Sequence, residues 1–258
     1  MKKGIIVTSF GTTHEDTRKL CIEPIEDRIR DAFKDKLVVR AFTSRVIISR
    51  LKKRDNYIVD NPTEALEKMK EKAIKDIYIQ PLLIIPGHEY DKVFKEVDTF
   101  LQSNDGFNIE IGKPLLSDDK DYENVINALD LGEDVSDEAN IFMGHGTDHN
   151  ADYAYEKIEK TMRAKGHENV FMGTVEGKKT IEDIVVKLKE SEIDRVNLRP
   201  FMLVAGDHAK NDMASDDEDS WKSILEANNI KVKVELSGLG EIEAIQDIFK
   251  DHLRDMMK

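Results

Sequence analysis

The sequence predicts an α/β protein built from two similar domains, each with a parallel sheet. Three observations support this prediction. Short apolar or β-branched runs alternate with longer segments in which apolar residues recur every three or four positions. Such alternation of strands and helices is typical of parallel sheets that helices cover on both faces. Two strand-to-helix turns, "IVTSFGTTHE" and "IFMGHGTDHN", resemble each other 135 positions apart, which indicates an internal repeat.

Eight runs have the length and composition of buried strands, four in each half of the chain. In order they are GIIVTSF (4–10), KLVVRAF (36–42), DIYIQPLLII (76–85), FNIEIG (107–112), NIFMG (140–144), NVFMG (169–173), RVNLRPFMLV (195–204) and KVKVEL (231–236). Between them lie segments of helical period such as "TEALEKMKEKAI" and "IEDIVVKLKE". In the acidic run "SDDED", Ser215 and Glu218 have capping-box spacing and predict a helix start.

An acidic stretch, "LDLGEDVSD" at 129–137, separates the fourth predicted strand from the fifth. We therefore expect an N-terminal α/β domain over residues 1–132 and a C-terminal α/β domain over residues 133–258. A chain of 258 residues is long enough for two domains with separate cores.

Composition excludes several classes of function. A net charge of −13 argues against a nucleic-acid partner, which would need stripes of Lys and Arg. Apolar runs such as "LLII" are too short to span a membrane, and the first strand lacks a signal-peptide cleavage pattern, so we expect a cytoplasmic protein.

The lone Cys21 excludes an intramolecular disulfide and a multi-thiolate metal site. Neither G-x-G-x-x-G after the first strand nor a P-loop occurs, so no nucleotide cofactor is expected. The sequence makes no prediction of oligomeric state.

The repeated turns differ at one position. Gly146, Thr147 and His149 fall on a glycine, a threonine and a histidine of the first copy, but His145 falls on Phe10. Because His149 and its counterpart occur in both copies, we assign them to capping a helix start rather than to chemistry.

Two further overlays place a second histidine and a glutamate at equivalent strand ends. "QPLLIIPGHE" (80–89) matches "RPFMLVAGDH" (199–208) and puts His208 opposite Glu89. A weaker overlay of "RAFTSR" (40–45) on "FMGTVE" (171–176) puts Glu176 opposite Arg45.

His145, Glu176 and His208 follow three strands of the second half and converge if those strands lie in one parallel sheet. Two imidazoles and a carboxylate suit a borderline divalent ion such as cobalt, iron, nickel or zinc, unlike the oxygen cages of calcium or magnesium. The ordinary alternative is that each histidine is a satisfied polar residue at a strand end.

Five motifs also resemble a known family, the anaerobic, ATP-independent sirohydrochlorin cobaltochelatases of the cobalamin pathway, which are relatives of the ferrochelatases. They are "VTSFGTTHEDTR", "QPLLIIPGHEYDK", "GHGTDHNADYAY", "GTVEG" and "GDHAKNDMASDDEDSW". The resemblance implies a chelatase-like fold of two flavodoxin- or Rossmann-like domains related by a pseudo-twofold axis, with the tetrapyrrole lying flat in a cleft between them.

By this resemblance, His145, Glu176 and His208 contact the metal, and Glu89 is an acidic residue of the cleft. The implied reaction inserts Co²⁺ into sirohydrochlorin or precorrin-2, and either His145 or Glu89 accepts the pyrrole protons. Tetrapyrrole and divalent metal are thus the expected partners, with no cofactor beyond the substrate metal and Fe²⁺, Ni²⁺ or Zn²⁺ as alternative ions. The cations that we expect to anchor substrate carboxylates are Arg45, Lys92, Lys178 and Lys210.

Three alternatives stay open at the level of sequence. A ferrochelatase or nickel chelatase would use the same donors, because ligand type alone does not select among these metals. A carrier of tetrapyrrole or metal would share the fold without turnover. A metallohydrolase would use the trio to activate water.

Overall fold

A computed structural model describes residues 2–132 and 135–258. Within these residues the strands are β1 (Lys3–Ser9), β2 (Leu37–Phe42), β3 (Asp76–Pro81), β4 (Asn108–Ile111), β5 (Glu138–Gly144), β6 (Val170–Thr174), β7 (Arg195–Pro200) and β8 (Lys231–Val234). The α-helices are α1 (Glu15–Thr17), α2 (Glu23–Ala32), α3 (Arg45–Asp55), α4 (Pro62–Glu71), α5 (His88–Gln102), α6 (Asp119–Ala128), α7 (Tyr153–Ala164), α8 (Ile181–Glu190), α9 (Trp221–Ala227) and α10 (Glu243–Met256). Two π-helical turns cover Arg18–Ile22 and Ala209–Met213, and two 3₁₀ turns cover Asn150–Asp152 and Leu239–Glu241.

The strands form two four-stranded parallel sheets with the same topology. The first has the order β2-β1-β3-β4 and the second the order β6-β5-β7-β8. All recorded strand pairs are parallel. The predicted α/β class and the predicted duplication are both confirmed.

The chain divides into two compact units whose limits differ from the predicted halves. The first unit comprises Met1–Ser117 and Glu243–Lys258, and the second comprises Asp118–Ile242. Helix α6 therefore belongs to the second unit, and α10 returns to the first. The predicted seam at 129–137 includes positions 133 and 134, which lie outside the described residues.

Side-chain contacts explain both assignments. In the second unit, the Lys157 ammonium on α7 lies 2.7 Å from Asp119 Oδ1 and 4.2 Å from the centre of the Tyr122 ring, both on α6. In the first unit, Arg28 on α2 donates to Asp247 on α10 at 2.9 Å. These contacts join elements that the acidic seam suggested were separate.

Apolar faces and caps account for the helices. The segment predicted from "TEALEKMKEKAI" forms α4, whose N-cap Asn61 makes a capping box with Glu64. The segment "IEDIVVKLKE" forms α8, which begins with a capping box between Thr180 and Asp183. Both helices bury their apolar stripes in the core of their own unit.

Two predicted strands are shorter than expected, and one helix begins later. Leu82 N still donates to Thr8 O at 2.6 Å, but the chain then leaves the sheet, so β3 and β7 end at their prolines. The apolar run continues past each proline into residues that are buried outside the sheet, so its composition resembles that of a longer strand. These buried residues are Leu82, Leu83, Phe201, Met202 and Leu203. The predicted cap at Ser215 is also wrong, because Ser220 accepts from Ser223 N and caps α9.

Within the described residues, the structure has no helix that is long and apolar enough to cross a membrane.

The return of α10 to the first unit yields a test of its packing. Phe249 on α10 is fully buried, so we expect Phe249→Ala to destabilise the protein by about 3–5 kcal/mol through the lost burial and the resulting cavity. Amide exchange of β1 and β3 in the first unit should accelerate more than that of β5.

Val186 on α8 provides the control for this prediction. Its side chain is exposed, so Val186→Ala should change the unfolding free energy by no more than about 0.5 kcal/mol. Faster exchange in β5 than in β1 and β3 for Phe249→Ala would contradict the assignment of α10 to the first unit.

Candidate metal centre

The turn after β5 is built by the residues that the two copies share. Gly146 has φ +80° and Gly11 has φ +94°, a region that favours glycine because it lacks Cβ. Thr147 Oγ1 accepts a hydrogen bond from His149 N at 3.1 Å, and Thr12 Oγ1 accepts one from His14 N at the same distance. The glycine and the threonine thus form the same turn in both units.

The second histidine of the repeat caps a helical turn in the second unit. His149 Nδ1 accepts from Ala151 N at 3.0 Å, which confirms the predicted capping role. His14 occupies the corresponding N-cap position of α1, but its side chain makes no capping hydrogen bond. Capping by the side chain is therefore specific to the second copy.

His145 follows β5, an inner strand of the sheet, and Glu176 follows the neighbouring edge strand β6. The backbone ladder continues past both strand ends, because Glu176 N donates to His145 O at 2.8 Å. In the first unit the same bond runs from Ser44 N to Phe10 O at 3.3 Å. The structural counterpart of Glu176 is therefore Ser44, and the predicted overlay on Arg45 was wrong by one residue.

The two counterparts have different roles because the following helices begin at different distances. Ser44 is the N-cap of α3, and its side chain accepts from Ile47 N. In the second unit α8 begins only at Ile181, with Thr180 as its cap. The longer loop leaves the Glu176 carboxylate free of any capping duty.

His208 follows β7 and immediately precedes the π-helical turn Ala209–Met213. Lys210 N donates to Gly206 O at 3.0 Å, as Asp91 N donates to Gly87 O at 3.1 Å in the first unit. This matching pattern confirms the overlay that places His208 opposite Glu89.

The structure brings the three predicted metal ligands together. One donor atom from each of His145, Glu176 and His208 lies within 4.8 Å of the others. The two imidazole rings have centroids 4.7 Å apart and are nearly perpendicular, at 87°. The side chains of the trio are 46%, 58% and 34% exposed, in that order. The arrangement offers two nitrogens and one carboxylate to an ion that can exchange with solvent.

Both histidines direct Nδ1 toward a protein oxygen. His145 Nδ1 lies 3.0 Å from Gly146 O and 3.7 Å from Glu176 Oε2. His208 Nδ1 lies 2.6 Å from Asp212 Oδ2. When Nδ1 carries the proton for such a bond, Nε2 keeps the lone pair that a metal needs.

Asp152, which the sequence analysis did not identify, holds two of the ligand loops together. Asp152 Oδ1 accepts from Thr147 N at 3.1 Å, and its Oδ2 accepts from Lys178 N at 3.4 Å. One carboxylate thus ties the loop after His145 to the loop after Glu176. In the first unit the residue 135 positions earlier is Thr17, and this difference is the signal by which the repeat could have identified Asp152.

The ring of Tyr155 lies under the same turn and touches Gly144. Burial raises the pKa of Tyr155 to about 12, although hydrogen bonding to the backbone of Gly146 and His145 lowers it in part. The phenol therefore stays neutral at working pH and supports the turn without adding charge.

The fourth predicted site residue, Glu89, lies in the first unit, in the first turn of α5. Its Oε2 accepts no hydrogen bond among the described residues and lies 3.8 Å from the Lys92 ammonium. Glu89 is not one of the three side chains that meet in the second unit.

The predicted anchoring cations have different surroundings. In the first unit, Arg45 pairs with Glu96 at 3.2 Å, and the Lys92 ammonium donates to Thr43 O. In the second unit, Lys178 and Lys210 each follow a residue of the trio within two positions.

The family model for cobalt chelatase (CbiK) matches residues 3–258. The chain belongs to the CbiK family. The resemblance drawn from the sequence motifs is thereby confirmed.

Two named relatives of this CbiK-family chain match it over nearly its full length. The sirohydrochlorin cobaltochelatase of Salmonella typhimurium is 39% identical over 259 residues, which cover 100% of this chain and 97% of the relative. The sirohydrochlorin cobaltochelatase CbiKC of Nitratidesulfovibrio vulgaris is 36% identical over 263 residues, which cover 98% of this chain and 89% of the relative.

Solved structures share the fold of this CbiK-family chain at much lower identity. SirB from Bacillus subtilis, solved with Fe³⁺, has a TM-score of 0.73 at 13% identity and covers 99% of this chain, which covers 96% of SirB. CbiX, the terminal enzyme of siroheme biosynthesis in denitrifying bacteria, has a TM-score of 0.60 at 14% identity, with 100% of both chains covered. Both comparisons bear on the architecture alone.

The glycine of the ligand turn provides a test of this geometry. A Cβ on Gly146 would lie 2.3 Å from Gly177 N, so Gly146→Ala must displace the loop that carries Glu176. We expect it to lower the unfolding free energy by about 1–3 kcal/mol more than backbone strain alone requires. Urea unfolding measures this difference.

Gly166 is the matched control, because it also has a positive φ of +98° but has no atom within 4 Å of an added Cβ. Gly166→Ala therefore reports the backbone strain without the collision. Equal losses of stability in the two variants would show that the contact with Gly177 is not significant.

Proposed function

We propose that this chain inserts Co²⁺ into sirohydrochlorin, or into its precursor precorrin-2. The observation that carries the proposal is the convergence of His145, Glu176 and His208 within 4.8 Å of one another. Membership of the CbiK family supports it, as do two relatives named sirohydrochlorin cobaltochelatase. Cobalt is a substrate of this reaction and leaves with the ring.

In this proposal the second unit carries the metal site, and its trio binds the incoming ion. Two imidazoles and one carboxylate leave coordination positions for water and for the pyrrole nitrogens. Each side chain is at least one-third exposed, which favours exchange of ligands over permanent retention. This exposure supports a chelatase over a carrier. The same donors can bind Fe²⁺, Ni²⁺ or Zn²⁺, because ligand type alone does not choose among them.

Insertion replaces two pyrrole N–H protons by one divalent ion, so the site must also accept protons. An imidazole that releases the metal to the tetrapyrrole becomes available as a base, and we assign this role to His145. Glu89 is the other acceptor that we infer, with its Oε2 free of hydrogen bonds among the described residues. Lys178 and Lys210 are the cations of the second unit that we assign to substrate carboxylates.

The direct test is an anaerobic assay with sirohydrochlorin and Co²⁺ followed by visible absorption. We expect many tetrapyrrole rings to be converted per chain, whereas a carrier would give one stoichiometric spectral change.

His145→Ala and His208→Ala should each reduce insertion at least about 100-fold and leave the unfolding curve near that of the wild type. Phe10→Leu should retain activity, because Phe10, the first-unit counterpart of His145, offers no metal-donor atom that the substitution could remove.

His167→Ala is the matched control, since His167 precedes β6 and so lies at the opposite edge of the sheet from the trio. It removes an imidazole without touching the proposed site. Near wild-type insertion by both His145→Ala and His208→Ala would remove the trio from the mechanism.

A further inference from the structure

A carboxylate from outside the trio lies within hydrogen-bonding distance of one of its two histidines. Asp212 Oδ2 lies 2.6 Å from His208 Nδ1, within the range of a short charge-assisted hydrogen bond. His145 has a weaker partner at its own Nδ1, the backbone oxygen of Gly146 at 3.0 Å. The two rings are therefore held by acceptors of different strength.

The local fold explains how Asp212 reaches His208. The two residues are four positions apart: His208 immediately precedes the π-helical turn Ala209–Met213, and Asp212 lies within it. Side chains with this spacing lie on one face of a helical turn, and π-helical turns are frequent at functional sites. In the first unit the chain after Gly87 instead forms the regular helix α5.

The repeat indicates that the scaffold does not need this carboxylate. At the same offset that pairs His208 with Glu89, the first unit has Val93 opposite Asp212. Val93 is fully buried in the apolar core, whereas the side chain of Asp212 is 47% exposed. The acid occurs together with the histidine, in the copy that carries the metal trio.

We propose that Asp212 is a positioning residue for metal acquisition. It acts through the imidazole of His208 and does not contact the tetrapyrrole substrate. The carboxylate accepts the Nδ1–H of His208, so the neutral imidazole keeps the lone pair on Nε2. The same hydrogen bond fixes the plane of the His208 imidazole and makes its Nε2 a stronger donor to a cation. This inference rests on the proposed role of His208 as a metal ligand and assigns a determinant of Co²⁺ affinity to that site.

The first experiment measures the histidine tautomer in the full-length, metal-free protein. ¹⁵N NMR of histidine-labelled protein at about pH 8.5, above the ordinary imidazole titration range, should show His208 protonated at Nδ1. The signal is assigned with a His208→Gln variant. In Asp212→Val, which introduces the residue of the first unit, the proton should move to Nε2. A wild-type His208 protonated at Nε2, or a tautomer that Asp212→Val leaves unchanged, would overturn the inference.

The second experiment measures Co²⁺ binding without tetrapyrrole, by the visible absorption of the bound ion. Asp212→Asn preserves shape but replaces the charged acceptor by an amide, so we expect the dissociation constant for Co²⁺ to rise about 10–100-fold. Asp216→Asn is the control, because it removes the same charge from the same segment while Asp216 contacts Lys222 at 2.6 Å. An equal change of affinity in the two variants would mean that Asp212 acts only as distant charge, and would refute the proposal.

These measurements separate this inference from the proposed function. If Asp212→Asn weakens Co²⁺ binding and Asp212→Val shifts the tautomer but the wild-type chain converts no sirohydrochlorin, the positioning role stands and the chelatase proposal fails. If insertion proceeds in the wild type while Asp212→Asn binds Co²⁺ as tightly, the chelatase proposal stands and the positioning role fails.

Discussion

The parallel register of β6, β5 and β7 is the constraint on which the candidate metal centre depends. Gly144 pairs with Thr174, and Met143 pairs with Pro200, so the three strands end along one edge. The ladder continues to Glu176 through its hydrogen bond to His145 O. Because successive residues of an extended chain point to opposite faces, a slip of one residue would turn the Glu176 carboxylate away from the imidazoles. Precise pairing of backbone groups therefore fixes donor atoms that belong to three distant parts of the sequence.

Comparison of the two units separates the residues that build the scaffold from those that carry chemistry. The glycine and threonine of the turn occur in both units and make the same hydrogen bond. The residues that differ lie at equivalent backbone positions, but in the second unit their side chains do not stabilise the fold. Glu176 is an example: its counterpart Ser44 caps a helix, and Glu176 does not. Replacement at such positions changes the chemistry at little cost to the fold, which explains how two units of one topology can present different side chains at equivalent strand ends.

Much of this arrangement follows from the sequence because its signals are local and repeated. Helical and strand periods identify the α/β class, and the glycine, threonine and histidine shared by the two turns draw attention to His145 without coordinates. Of the predictions that failed, the cap at Ser215 was decided locally, by the hydrogen bond from Ser223 N to Ser220, whereas the overlay of Glu176 depended on hydrogen bonds between distant segments. The overlay of Glu176 on Arg45 relied on a shared threonine, but strand pairing sets the register. The contact of Asp212 with His208 depends on a π-helical turn that composition does not reveal, although the spacing of four positions is visible in the sequence.

The second unit is a continuous segment, Asp118–Ile242, whereas the first is interrupted and is completed by α10. Helix α10 packs against α2 and β3, and its fully buried Phe249 contributes to the core of the first unit. During synthesis on the ribosome, the first unit therefore cannot complete its core until α10 emerges, which happens only after the whole second unit has been made. The residues of the trio thus emerge within a segment that is complete before the amino-terminal unit has all of its core.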